Sequence, residues 1–217
     1  MTGSSRNEAS GRPPRKAVRG AVELVGALPM FALAPLFRRW HMRWGATDAE
    51  VAAPMQGDEL VVPATFLSTR AISIAAPPEA VWPWIVQMGY GRGGFYTYDL
   101  IDNGGYPSAD RVLDEFQQFE VGDWAFPMNG LFGIELPLNE SDAFKVRAFA
   151  TGRWLVWEKP DSTWSWLLKP IPGGTRLTVR IRAHPANLFW TLFMEFGDPP
   201  MAVRMLRGIK KRAEASC

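Results

Sequence analysis

The 217-residue chain is 47% hydrophobic and 21% charged, with 18 Pro, 10 Trp and a single cysteine, Cys217, at its end; this fits one ordinary domain plus an appendage and excludes a disulfide scaffold and a thiolate zinc site. His41 and His184 are the only histidines, too few for a multi-histidine centre, so no metal is expected. The formal charge of +2 splits into eight Lys/Arg against two Glu (+6) in residues 1–45 and sixteen against twenty (−4) in the remainder, which argues against nucleic acid as a partner.

Residues 1–19 are rich in Ser, Gly, Pro, Arg and Lys with almost no large apolar side chain, and are expected to form a disordered basic tail. Gly20 to Phe37 follows as an apolar stretch whose only charge is Glu23, flanked by Arg12, Arg15, Lys16 and Arg19 and by Arg38, Arg39 and Arg43. As a helix it reaches about 27 Å, just short of a hydrocarbon core. Three roles stand open for the apolar helix of residues 20–42. A membrane span is opposed by Glu23, Pro29 and Pro35. A helix lying on the membrane or docked on the folded domain suits the basic flanks. A cleaved signal peptide has Ala32-Leu33-Ala34 as its site, but Pro35 directly behind it. The expected location is cytoplasmic, either free or attached to a membrane through residues 20–37.

Thr47 to Glu50 fits a capping box at a helix start, and Pro54 limits that helix to about two turns. Phe66 to Ile74, β-branched and aromatic, reads as a strand. Ala76-Pro77-Pro78-Glu79 opens a helix that places Val81, Trp84, Ile85 and Met88 on one face and stops at Gly89. Farther on, Phe144, Val146 and Ala148 alternate with Lys145 and Arg147; Trp164, Trp166 and Leu168 with Thr163, Ser165 and Leu167; Leu177, Val179 and Ile181 with Arg176, Thr178, Arg180 and Arg182. Turn residues at Thr151-Gly152, Pro160-Asp161-Ser162 and Pro172-Gly173-Gly174 make Ala143 to Ala183 a four-stranded antiparallel meander. Leu188 to Phe196 is apolar nearly all round, after which Asp198 is expected to cap a helix beginning at Pro199-Pro200. Its stripe of Met201, Ala202, Met205, Leu206 and Ile209, opposite Arg204, Arg207, Lys210 and Lys211, needs an apolar surface, and the inner face of the meander supplies one.

This order of elements resembles the START-like SRPBCC superfamily. The wording of Arg43-Trp44-Gly45-Ala46-Thr47, Gly57-Asp58-Glu59-Leu60, Ala76-Pro77-Pro78-Glu79 with Val81-Trp82, Gly91-Arg92-Gly93-Gly94-Phe95-Tyr96 and Met205-Leu206-Arg207-Gly208-Ile209-Lys210 is similar to its bacterial polyketide cyclase/dehydrase-like branch. The resemblance covers Arg43 to Glu214. It implies an α+β helix-grip fold, in which a curved antiparallel sheet wraps around a long C-terminal helix, here with an extra N-terminal apolar helix and one ligand-binding domain over residues 43–214. It also implies a cavity between sheet and helix for a small hydrophobic molecule (lipid, sterol-like compound or polyketide) and no cofactor. Asp198-Pro199-Pro200 departs from the pattern, as a break in what is otherwise one long helix.

Gly89-Tyr90-Gly91-Arg92-Gly93-Gly94 matches a dinucleotide fingerprint in letters, but it follows a helix and leads into aromatics. It reads instead as a helix-ending loop whose glycines let Phe95, Tyr96 and Tyr98 pack near the cavity mouth, with Arg92 placed to meet an anionic ligand group. Asp99, Asp102, Asp110, Asp114, Glu115, Glu120 and Asp123, against Arg111 alone, do not fit a calcium loop and read as a solvated acidic face. Core packing is the default for each Trp, yet rings on a concave sheet face also line whatever space remains. Candidate cavity residues are Trp82, Arg92, Phe95, Tyr96 and Trp124, then Phe126, Trp154, Trp157, Glu158 and Trp166. No nucleophile elbow is present, His184 precedes Pro185 at a strand end, and Asn139-Glu140-Ser141 is a glycosylation acceptor relevant only to an exported chain. Function reads as binding or carriage of a hydrophobic molecule. The alternative is a cyclase or dehydratase-type enzyme in which Arg92, Tyr96 or Glu158 acts as acid, base or orienting donor. A third class is an accessory protein using the Arg204 to Arg212 surface.

Overall fold

The computed structural model describes residues 14–125, 130–131, 134–135, 143–185 and 187–217. Helix α1 (Pro14–Leu33) opens inside the stretch expected to be unstructured and carries the apolar segment. A tight turn at Ala34–Phe37 and the short α2 (Arg38–His41) extend it. Thr47 caps α3 (Asp48–Ala52) through the expected box: the Glu50 N–H donates to the Thr47 hydroxyl, and the Thr47 N–H donates to the Glu50 carboxylate at 2.7 Å. Strand β1 (Phe66–Ile74) leads into α4 (Pro78–Val86), whose Val81, Trp84 and Ile85 are buried. One turn of helix, α5 (Asp99–Asp102), and three two-residue strands, β2 (Trp124–Ala125), β3 (Gly130–Leu131) and β4 (Ile134–Glu135), follow. The meander is present as β5 (Phe144–Ala150), β6 (Trp154–Lys159), β7 (Ser162–Ile171) and β8 (Gly174–Ala183). The chain closes with α6 (Leu188–Leu192), a wide π-turn at Phe193–Gly197 and α7 (Asp198–Ala215).

Six strands form one antiparallel sheet in the order β1-β8-β7-β6-β5-β2, so the first strand joins the last rather than its neighbour in sequence. Strand alternation sends Trp157, Trp166, Leu177 and Val179 to one face, where they form a single core with Trp84 and Ile85 of α4 and Met205, Leu206 and Ile209 of α7. The architecture is a helix-grip of the α+β class. Covering such side chains from water at about 25 cal/mol per Å² is what holds α7 in the sheet's concavity.

Two sequence expectations fail locally. A bulge between Val146 and Ala148 puts one extra residue into β5, so Ala148 pairs with Val156 on the far face and Phe149 turns inward against Phe119. Asp198 is not an N-cap. The backbone stays right-handed helical through Gly197 and Asp198; the π-turn widens the helix where Pro199 and Pro200 supply no N–H, so it continues without a break. The Asp198 carboxylate instead accepts from the Arg70 guanidinium at 2.6 Å, a buried pair whose Arg70 Nε is held by the His41 carbonyl at 2.8 Å.

The convex face is covered by residues 48–61. Arg180 of β8 donates from all three guanidinium nitrogens: to Thr69 Oγ1 (2.9 Å), to Asp58 (2.6 Å) and the Ala53 carbonyl, and to the carbonyls of Glu50 and Val51. Arg176 makes a two-pronged pair with Glu50. On the other side of the molecule, Leu24, Ala27 and Phe31 of α1 pack on Tyr98, Ile101, Met201 and Phe193, while Val22, Val25, Leu28 and Leu33 point outward and are exposed. The segment thus docks on the domain by one stripe, yet the run Gly20–His41 is long and apolar enough to cross a membrane.

Candidate functional site

A cavity of about 140 Å³ lies between the concave sheet and the helical C-terminus. Its walls come from β7 and β8 (Trp164, Ile181, Ala183), from α6 and the π-turn (Trp190, Phe193, Met194), and from the first turns of α7 (Met201, Ala202, Met205). Phe95 and Phe144 flank Trp164, with ring centroids 6.5 and 5.9 Å away, and Trp157 and Trp166 back it at 5.6 and 5.1 Å. Lys159 and Asp161 stand on the lining as a 3.2 Å ion pair, the ammonium lying over Trp190 at 5.2 Å.

Besides this ion pair, two residues of the lining keep a buried polar atom without a partner among the described residues. Asp102, only 2% exposed, accepts a hydrogen bond from the Thr97 hydroxyl on Oδ2, and its Oδ1 has no partner among the described residues. Burial pushes its carboxyl up to about 7, against the pull of the Thr97 hydroxyl. The second group is the Trp164 indole N–H, likewise buried and unpartnered. An orphaned buried polar atom costs about 1–3 kcal/mol, a cost that a bound molecule can relieve.

Of the described residues expected in the cavity, only Phe95 lines it. Tyr96 donates its hydroxyl to the Trp84 carbonyl at 2.9 Å and faces a separate groove beside α7. Trp82 and Trp166 belong to the core. Trp157, Trp124 and Arg92 border a pocket of only about 10 Å³. Arg92 donates Nη2 to the Val86 and Phe116 carbonyls at 2.9 and 3.4 Å and stacks on the Phe116 ring, while its buried Nε has no partner among the described residues. Trp154 and Glu158 lie on the convex face with Val156, where Arg147 pairs Glu158 at 3.6 Å. Phe126 and the Asn139-Glu140-Ser141 acceptor lie outside the described residues.

Asp102 corrects the reading of residues 99–123 as a wholly solvated acidic face, since α5 turns it inward while Asp110, Asp114, Glu115, Glu120 and Asp123 remain exposed. In the glycine-rich loop, Gly94, at φ +74°, has no room for a side chain, which would meet Ser108 Oγ at 2.5 Å; Phe95 beside it lines the cavity, while Tyr96 and Tyr98 line the separate groove. Among the described residues no group of three or more His, Cys, Asp or Glu could hold a metal.

Neither a family model nor a curated protein matches the chain. Among solved structures, it is similar to protein Ms6760 from Mycobacterium smegmatis (16% identity, 70% of this chain and 94% of that one, TM-score 0.47). It is also similar to NE0264 from Nitrosomonas europaea (14%, 76% and 100%, 0.45) and to SSP2350 from Staphylococcus saprophyticus (10%, 70% and 93%, 0.44). These likenesses say nothing of ligand or activity.

Proposed function

We propose that the protein binds and carries a small hydrophobic molecule bearing a carbonyl oxygen, its apolar body in the cavity and its oxygen at Asp102 or Trp164. One observation carries this reading: in a mostly apolar lining, Asp102 and Trp164 each keep a buried side-chain atom without a partner among the described residues. The Trp164 indole offers a proton at any pH and Asp102 does so in its protonated form, so the complementary group is an acceptor. A space of about 140 Å³ suits one ring or a short acyl segment, by comparison with benzene-sized cavities.

Native mass spectrometry of gently purified protein, followed by Trp fluorescence titration with acetophenone and ethylbenzene, tests the reading. The ketone should bind about tenfold tighter, one hydrogen bond to a buried donor, and Ala202→Phe should abolish binding of both. Equal affinities, or undiminished binding by Ala202→Phe, would sink it.

The exposed apolar stripe of α1, opposite its docked stripe, supports membrane contact through residues 20–37. Cell fractionation should find the chain with membranes and the Val25→Asp/Leu36→Asp variant in the soluble fraction; soluble behaviour of both would overturn this part.

A second reading, the cyclase or dehydratase, is favoured by the buried Asp102 carboxyl on the cavity lining, pushed up to about 7 as a general acid or base needs. Asp102→Asn would then keep ligand affinity but lose turnover, whereas a pure carrier shows no turnover to lose.

A further inference from the structure

Between α1 and α7, outside the cavity, runs a groove of about 520 Å³ bordered by charged side chains. Arg204, Arg207, Lys211 and Arg212 of α7 line it, against the carboxylates of Glu23 and Asp99. Two of the four cations are held ready. Arg204 donates Nε to the Thr97 carbonyl at 2.8 Å and lies over the Tyr98 ring at 4.3 Å. Arg212 donates Nε to the Ala109 carbonyl at 2.7 Å and Nη1 to the Gly208 carbonyl, and lies over the Tyr96 ring at 4.5 Å. Guanidinium groups fixed by carbonyls at one edge and rings on one face lose little freedom on binding, and Nη2 of Arg212 remains for a ligand.

The side chains of Arg207 and Lys211, one helical turn apart, are exposed. Gly208 between them lies against Tyr96, where a side chain would come within 2.7 Å of the Tyr96 backbone oxygen; a glycine there keeps the groove close to the loop. The groove already accepts an anion, since the Glu23 carboxylate sits on Arg204. Asp99 is occupied with the Ser108 hydroxyl. Four cations less two carboxylates leave a surplus of two positive charges, which matches the −1.5 to −2 of a phosphate monoester.

We infer that this groove is a binding site for a phosphate group, held by Arg207, Lys211 and Arg212 beside the Glu23–Arg204 pair. It is independent of the cavity and of its ligand. Because α1 presents an apolar stripe on its outer side, the phosphate can come from a lipid headgroup or from solution.

The test uses the full chain in two arms: sedimentation with phosphatidylcholine vesicles, plain or doped with phosphatidate, and the same assay with inorganic phosphate as competitor. The wild type should prefer phosphatidate vesicles by about tenfold or more, two cations contributing. Arg207→Glu/Lys211→Glu should erase the preference, whereas Arg153→Glu/Lys169→Glu, an equal charge change on exposed residues elsewhere, should retain it. Competition by inorganic phosphate would add a solution source; its failure to compete would assign the site to the headgroup. Absence of any phosphatidate preference in the wild type, or equal loss in both double variants, would overturn the site. Ketone binding in the cavity, read by Trp fluorescence, should be unchanged in both double variants, so failure of the groove and failure of the cavity separate.

Discussion

On the convex face of the sheet, Arg180 has a side chain only 4% exposed and directs all three guanidinium nitrogens to acceptors; on the concave face, the buried Asp102 and the half-buried Trp164 of the cavity lining each keep a buried polar atom without a partner among the described residues. Both faces bury polar chemistry, but to different degrees of completion: in the Arg180 network only Asp58 Oδ1 lacks a hydrogen bond, with Arg182 3.9 Å away. A nearly finished network holds residues 48–61 onto the sheet, and a less finished one is a place for something else to bind.

The largest break in this comparison should come from Arg180→Met. Removing the cation strands Asp58 and three carbonyls, so stability measured by urea unfolding should fall by about 3–5 kcal/mol, with the ligand affinity of the surviving folded protein unchanged. Asp102→Asn should act in the opposite direction. The folded carboxyl titrates at about 7 against an ordinary 3.8, so the folded state keeps a proton that the unfolded chain releases, and wild-type stability should decline as pH rises from about 4 to about 7, then level off. The asparagine variant should lack that decline and gain about 2–4 kcal/mol over the wild type at pH 8. Trp164→Phe keeps a ring and deletes an orphan donor; it should leave stability unchanged or raise it by about 1 kcal/mol while weakening ketone binding several-fold. Smallest is Glu50→Gln. Its hydrogen bond from Arg176 holds the Glu50 carboxyl down to about 2 from 4.5, so its contribution is present above pH 4.5 and vanishes as pH falls toward 2. The variant should differ from wild type by about 1 kcal/mol at neutral pH, after solvent screening, and by nothing in strong acid.

The meander, the capping box and the α7 stripe were legible because each rests on a period or a local hydrogen bond contained in a few residues. The candidate site was much less so. Trp154 and Glu158 share parity with each other and not with Trp157, so period two alone places them on the opposite face, a signal present in the letters. Asp102 offers no such signal: an Asp among Asp99, Asp110 and Asp114 looks solvated until the turn at α5 aims it inward, and only tertiary packing does that. Asp198 looked like a cap because it precedes two prolines; the distant Arg70 on β1 claims it instead.

The pairing of β1 with β8 has a consequence in time. The meander β5–β8 closes through neighbouring hairpins, each a short loop, whereas Phe66 must find Ala183 across a loop of well over a hundred residues, whose closure entropy is lost before any contact returns it. Strands β5 to β8 are therefore expected to assemble ahead of β1. Arg70 travels on β1, so the anchor for Asp198 at the base of α7 arrives with it, and the ligand chamber becomes a product of the final closure rather than a mould around which the chain folds.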